Sequence, residues 1–283
     1  MRIVAGAKTY EEADWLLAAG ADEVYCAVAT LPNHYDERTC LKTDEEFVRV
    51  TRLARRRGKR VQLLLNESCF EADQPEVVRR TKALVKAGCH GVVVKELSLL
   101  QLLHKERLRA DLIVSSVSLT FNSRALDYYR PLGVKRVILP YQALPHEAAR
   151  IIKNPYGMET EVFFHADFCC VNVDPVCRLD GWAKSYQVCR MGLKSGGRPF
   201  HMPESNVPQK LGAVYDFYHA GAQHLKLVRM RNFADEMEVF KEARLMLALL
   251  KKGVSRPDFL RLGEKIFFSV SRHDKENGKS PGP

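Results

Sequence analysis

GVVVKELSLLQLLHKERLRADLIVS, residues 91–115, contains the unit from which the fold can be predicted. It begins with a β-rich run at 91–95, continues with a helical pattern at about 97–107 and returns to a β-rich run at 111–115. Both runs are apolar on the two faces that a strand presents, which is typical of strands buried in a parallel sheet. Parallel neighbours need a long crossover, usually a helix, so this stretch predicts a β–α–β unit.

The same alternation repeats along almost the whole chain. Six more strands are predicted, at RIVAGA (2–7), EVYCAV (23–28), RVQLLLN (60–66), RVILP (136–140), EVFFH (161–165) and HLKLV (224–228). Helices are predicted between them, two of them capped by Thr9 with Glu12 and by Thr43 with Glu46. Eight such units in this length predict an α/β fold, a TIM-like (β/α)8 barrel. The alternative is an open doubly wound sheet, but no glycine-rich phosphate loop follows the first strand.

One connection departs from this pattern. Residues 166–209, after the seventh strand, show little periodicity, and a loop of that length in a compact domain is usually functional. We therefore predict a single barrel domain over residues 1–270 with this excursion inside it. The polar end of the chain at 271–283 has a composition typical of a disordered tail.

The composition is that of a globular protein, since 46% of the 283 residues are hydrophobic and 28% are charged. The start lacks the features of a secretory signal and no run is apolar enough to cross a bilayer, so we expect a cytoplasmic protein without a membrane span. The net charge of +10 favours anionic partners, including RNA. The basic run at 52–60 also fits the last turn of a helix, where basic side chains complement the helix dipole.

Half of the eight cysteines lie within HADFCCVNVDPVCRLDGWAKSYQVC, residues 165–189, inside the excursion. Their spacing lacks the close cysteine pairs of structural zinc sites, which favours an iron–sulfur cluster over zinc, and disulfides are rare in the cytoplasm. The predicted ligands are Cys170, Cys177 and Cys189, with Cys40 or Cys169 as the fourth. Cys69, on a predicted loop of the same barrel face as Cys40, could also complete the ligand set, whereas Cys26 and Cys89 are expected in the core.

Polar residues at the ends of the other strands are candidates for chemistry, because those ends meet at the working face of such a barrel. The predicted catalytic residues are Lys95, Glu67 and His165, the last as a proton carrier or an outer-shell donor to the cluster. The predicted substrate-binding residues are Asn66, Glu96, Tyr141, Arg229 and Arg231, of which the last three suit a carboxylate or phosphate. Each of these side chains could equally serve only to tie loops together.

Several segments of the chain resemble the peptidase U32 family, the collagenase-like proteins. The similar segments are AAGADEVYCA (18–27), GVVVKELSLLQLL (91–103), SSVSLTFNS (115–123), LGVKRVILP (132–140), EVFFHADFC (161–169) and AGAQHLKLVRMR (220–231). The resemblance extends over about residues 1–250 and is most specific in the middle of the chain and in the cysteine segment.

The resemblance implies a [4Fe–4S] cluster and a part in oxygen-independent hydroxylation, as the enzyme or as one of its subunits. The substrate would be a small molecule such as a ubiquinone precursor, or a base in RNA. Short members of the ubiquinone pathway act as a pair of related chains, so the expected partner is a second homologous chain or another copy of this one. The older family name keeps a peptidase or collagenase-like hydrolase as an alternative, and an RNA-modifying protein is a further one.

The cysteines depart from the family pattern in two ways. One residue is inserted beside Cys169 and Cys170, which leaves open which of these thiols binds. No cysteine follows Cys189, so the downstream ligand of some members is missing. A short member of the family takes one ligand from the loop after strand two, and this similarity favours Cys40.

Overall fold

The computed structural model describes residues 1–35, 37–164, 193–200, 205–230 and 232–276. Eight parallel strands form a closed barrel, which confirms the predicted (β/α)8 fold and excludes the open sheet. The barrel strands are β1 (Arg2–Gly6), β2 (Glu23–Cys26), β3 (Arg60–Leu65), β4 (Gly91–Val94), β5 (Asp111–Val114), β6 (Val134–Ile138), β7 (Glu159–Phe163) and β10 (His224–Lys226). The barrel closes where β10 pairs with both β1 and β7.

Helices connect the strands and cover the outside of the barrel. They are α1 (Tyr10–Ala19), α2 (Asp44–Arg56), α3 (Gln74–Lys86), α4 (Leu97–Lys105), α5 (Ala125–Tyr129), α6 (Pro145–Ile152), α7 (Val207–Ala220), α8 (Phe233–Lys251) and α9 (Arg256–Glu276). The predicted caps are present, since Thr9 accepts from the Glu12 amide at 3.1 Å and Thr43 caps α2 in the same way. The cap of α1 differs from a standard capping box in its second hydrogen bond. The Glu12 carboxylate accepts from the amide of Lys8, one residue before the cap, at 2.7 Å.

The strands separate two apolar regions. The larger region packs between the strands and the helices and includes Val24 and Cys26 of β2. The smaller region, the inner cluster, fills the barrel and consists of Val4, Tyr25, Ala27, Cys40, Leu64, Val93, Ile113, Ile138 and Phe163. Successive residues of a strand point to opposite faces, which is why Tyr25 lies inside while its neighbours lie outside. The barrel is therefore a packed core, and its chemistry must take place at the ends.

The amino-terminal end of the barrel interior is ionic. Arg136 of β6 is fully buried and donates to Glu23 of β2 and Glu161 of β7 at 2.9–3.0 Å. Lys226 of β10 donates to the other Glu161 oxygen at 3.0 Å. Burial opposes the ionisation of Glu23, but the hydrogen bonds and the charge of Arg136 lower its pKa to about 2. Branched apolar residues usually fill such barrels, so this ionic layer departs from the common arrangement.

The predicted excursion at 166–209 contains a hairpin that its sequence pattern does not predict, formed by β8 (Leu193–Ser195) and β9 (Arg198–Phe200). The last helix, α9, reaches Glu276, and the domain boundary at 270 and the disordered tail stay predictions. Across the described ranges, no helix combines the length and the apolar character needed to cross a membrane.

Candidate functional site

The carboxyl-terminal ends of the barrel strands form a mouth, and the loop after β2 forms part of its rim. This loop, residues 31–41, returns to β2 through a parallel bridge between Val28 and Leu41. The Leu41 amide donates to the carbonyl of Ala27 at 2.9 Å. The bridge fixes Cys40 beside the end of β2.

Cys40 is the predicted ligand whose surroundings the structure describes. It is 2% exposed and packs in the inner cluster with Tyr25 and Phe163. Its thiol donates to Oδ1 of Asn33 at a distance of 3.4 Å. A buried thiol is a soft donor, and this one lies at the end of the barrel where chemistry is expected.

Arg229 crosses the mouth beside Cys40. It follows β10, and its side chain passes over Gly6 at the end of β1 to reach the loop after β2, where Nη1 donates to the carbonyl of Thr39. This route requires a glycine at position 6, because a Cβ there would lie 2.1 Å from Cγ of Arg229 and 2.7 Å from Cζ of Tyr25. The glycine in the first predicted strand thus makes room for an arginine.

The Arg229 guanidinium has contacts on its face and at one nitrogen. Its Cζ lies 3.4 Å from the centre of the Tyr35 ring, a close cation–π contact. Residue 229 is 9% exposed, yet Nε and Nη2 have no hydrogen-bond acceptor in the described part of the chain. A permanently charged group is therefore buried with two of its donors unsatisfied.

Lys95 and Glu67 form an ion pair at the ends of β4 and β3, beside the same loop. The Lys95 ammonium lies 3.3 Å from Oε1 of Glu67 and 3.2 Å from Oγ of Ser68, and the His34 ring lies 3.7 Å from Oε2 of Glu67. Burial opposes the charge, but the interactions with His34, the Ser68 amide and Lys95 outweigh it and lower the pKa of Glu67 to about 2. Glu67 is therefore ionised at neutral pH and orients Lys95, which is the donor of the pair.

The predicted residues Asn66 and Glu96 flank this ion pair. Asn66 is 8% exposed and accepts from the His34 amide at 3.3 Å, so it ties the rim loop to the end of β3. Glu96 and Lys95 line a cavity of about 300 Å³ beside the ends of β4 and β5, whose remaining lining is mainly apolar. That volume lies at the lower end of the range for small-molecule pockets.

Aromatic rings line part of the mouth. Tyr141, which follows β6, stacks on Phe163 with 3.8 Å between the ring centroids and 15° between the ring planes. Tyr141 and Tyr35 both pack against the inner cluster. Such surfaces suit a flat, largely apolar group.

Six predicted site residues lie outside the described residues, namely His165, Cys169, Cys170, Cys177, Cys189 and Arg231. Cys26 and Cys89 are buried, as predicted, and burial raises the pKa of each thiol to about 12. Among the residues whose positions are described, no three His, Cys, Asp or Glu side chains come together to hold a metal ion. A metal site that includes Cys40 must therefore take its other ligands from elsewhere in the chain.

The sequence pattern did not single out three residues of this region. His34 and Tyr35 lie in the aperiodic loop segment PNHYDERTC (32–40), and their contacts depend on where the loop folds back. Glu236 in the first turn of α8 is 2% exposed, and one of its oxygens accepts from the Met230 amide at 2.7 Å. Acidic residues in a first turn commonly interact with the helix dipole at the surface, so sequence alone gives no sign of this burial.

Comparison with solved structures agrees with the barrel. The U32 peptidase Mk0906 superposes with a TM-score of 0.51 and 16% identity, over 82% of this chain and 94% of that one. Rubisco from Pyrococcus horikoshii superposes with a TM-score of 0.56 and 11% identity, over 99% of this chain and 66% of that chain. Tryptophan synthase from M. tuberculosis superposes with a TM-score of 0.50 and 12% identity, over 95% of this chain and 92% of that chain. At these identities the likeness shows the fold alone.

The family is identified from sequence. A comparison with curated proteins finds no match. The model of the family described as Peptidase family U32 matches residues 8–180, more than half of the chain. The matched range includes Cys40 and the first part of the cysteine segment and agrees with the resemblance noted in the sequence. The chain therefore belongs to peptidase family U32.

Proposed function

We propose that this U32 protein binds an iron–sulfur cluster and takes part in the oxygen-independent hydroxylation of a small molecule, such as a ubiquinone precursor. Cys170, Cys177 and Cys189 would hold a [4Fe–4S] cluster with Cys40 as the fourth ligand, and Cys169 is the alternative to Cys40. When bound, such a cluster supplies one-electron transfer. A second homologous chain is the proposed partner and the cytoplasm the proposed location.

The observation that carries this proposal is the position of Cys40. The rim loop holds it at the mouth, in the same inner cluster as Phe163, the last residue of β7. The cysteine segment begins at residue 165, two positions later in the sequence. A thiol from the loop after β2 therefore belongs to the same apolar cluster as the strand after which the other four candidate thiols follow.

The surroundings of Cys40 also suit a thiolate ligand. Cysteine must lose its proton to bind a metal. A thiol is a weak hydrogen-bond donor, so exchanging the proton that it shares with Asn33 for a metal gives up little. The position is buried, and a dry shell is one of the features that set the potential of a cluster.

Polar groups of the chain would bind and orient the substrate. Lys95, oriented by Glu67, can donate a hydrogen bond or a proton to a substrate oxygen in the adjoining cavity. Tyr141 offers its ring to a flat apolar group. His165 is the proposed proton carrier, because it lies two residues after the end of β7 in sequence.

Replacing Cys40 with serine tests the ligand assignment. We expect the iron content of this variant, prepared without oxygen, to be at least roughly tenfold lower than that of the natural protein. Losing a ligand should lower metal affinity by no less than losing an outer-shell contact does. Iron analysis, visible absorption and electron paramagnetic resonance of the reduced protein provide the measurement. Cys69→Ser is the matched control, because Cys69 is half-buried on the loop after β3, and it should keep its iron. Full iron in Cys40→Ser with loss in Cys169→Ser would reject Cys40 as the ligand.

A peptidase is the second candidate, favoured by the name of the family and of its solved U32 neighbour. A thiol nucleophile needs an adjacent base, and Cys169 with His165 is the pair that the sequence offers. This function predicts cleavage of gelatin that survives iron removal and disappears in His165→Ala. Absence of cleavage by protein that contains iron would reject it.

A further inference from the structure

One edge of the Arg229 guanidinium has no hydrogen-bond partner among the described residues. Nη1 donates to Thr39, whereas Nε and Nη2 have no acceptor within the described ranges. These two nitrogens lie on the same edge of the planar guanidinium, so their N–H groups point in parallel. A pair of parallel donors is the arrangement with which arginine binds a carboxylate through two hydrogen bonds.

The protein supplies no counter-charge for this edge among its described residues. The buried acid Glu236 is near enough to feel the charge of Arg229, but it makes no ion pair with it. Burial raises the pKa of Glu236 to about 7, so this acid is only partly ionised at neutral pH. Burying a charged group without a partner is costly, so a bound anion would be strongly favoured here.

Three contacts hold the guanidinium ready for such an anion. Tyr35 covers one face at 3.4 Å, Thr39 accepts from one end, and Gly6 leaves the space through which the side chain passes. A donor that is already fixed loses less conformational entropy when its ligand binds. The guanidinium is therefore built as a rigid fork rather than a mobile surface charge.

We propose that Arg229 binds the carboxylate of a small organic acid through Nε and Nη2, and that the aromatic mouth beside Tyr141 receives the body of that acid. The proposal names a chemical class for a molecule handled at the site described above, and it depends on the proposed function for that role. A planar carboxylate matches the two parallel donors.

Benzoate, benzamide and inorganic phosphate are the probes for this site, titrated into the intact protein by calorimetry. We expect benzoate to bind at least roughly tenfold more tightly than benzamide, which has the same ring without the charge. This comparison uses only the natural protein, so it does not depend on whether a variant folds. Equal binding of benzoate and benzamide, or binding of phosphate alone, would overturn the proposal.

Variants then assign the binding to the fork. Arg229→Lys keeps the charge but removes the parallel donors. We expect this variant to bind benzoate roughly tenfold more weakly, with its affinity for benzamide unchanged. Gly6→Ala should weaken benzoate as well, because the added Cβ displaces the arginine. Arg124→Lys, whose side chain is 91% exposed, is the matched control and should bind like the natural protein. Unchanged benzoate affinity in Arg229→Lys would assign the binding to another site.

Metal analysis of the same samples separates this inference from the proposed function. If the protein contains no iron but still binds benzoate more tightly than benzamide, the proposed cluster is rejected and the carboxylate site is supported. If the protein contains iron but binds benzoate and benzamide equally, the cluster is supported and the carboxylate site is rejected.

Discussion

Arg136→Met is expected to lower the free energy of unfolding by about 3 kcal/mol or more, because breaking a buried ion pair leaves its partner charge uncompensated. The Arg136 side chain is 0% exposed and donates to both oxygens of Glu23 as well as to Glu161. Methionine fills a similar volume but leaves Glu23 with fewer donors. Urea denaturation at neutral pH measures the change.

A control and a second variant identify the cause of this loss. Arg124→Met removes an arginine that is 91% exposed, and its stability should change little. Adding Glu23→Gln to Arg136→Met should recover part of the loss, because the uncompensated carboxylate disappears. If Arg136→Met were as stable as the natural protein, the ionic layer would not be what holds this end of the barrel together.

Glu236→Gln is expected to make stability less dependent on pH. Burial raises the pKa of Glu236 from 4.5 to about 7, so the folded protein holds this proton more tightly than the unfolded chain does. The natural protein therefore loses stability as the pH rises from about 4.5 through 7, by up to about 3 kcal/mol, whereas glutamine stays neutral. The free energy of unfolding of the variant, relative to that of the natural protein, should therefore increase as the pH rises from about 4.5 to 7.

Urea denaturation at pH 5 and pH 8 gives the comparison for Glu236. Glutamine can still accept from the Met230 amide, so the variant removes the titration without removing that hydrogen bond. Glu45→Gln, at an exposed position of α2, is the matched control and should follow the natural protein at both pH values. A constant difference between Glu236→Gln and the natural protein at the two pH values would contradict the assigned titration.

The barrel could be predicted because its strands are short apolar runs in a regular alternation with helices. The run GVVVK, for example, coincides with β4 to within one residue. The start of β6 was harder to predict, since the strand begins at Val134 and includes two charged residues before its apolar part. One of them, Arg136, lies in the ionic layer, and a charge in a strand normally indicates exposure to solvent.

The candidate site could be predicted only where it follows directly from strand ends. Lys95 and Glu67 lie at the mouth because each follows a strand, and the structure brings them to 3.3 Å. The contact of Arg229 with Tyr35 joins residues far apart in sequence through an aperiodic loop, and no local pattern specifies it. Only the fold of the rim loop brings the two side chains together, which is why the paired donors of Arg229 and the need for Gly6 emerge only from the structure.

Analysis of iron and acid-labile sulfide in protein purified without oxygen tests whether this chain binds an iron–sulfur cluster. We expect equal amounts of iron and sulfide, about four of each per chain, with visible absorption that disappears when the iron is removed. Protein that contains zinc alone, or no metal and no sulfide, would contradict it.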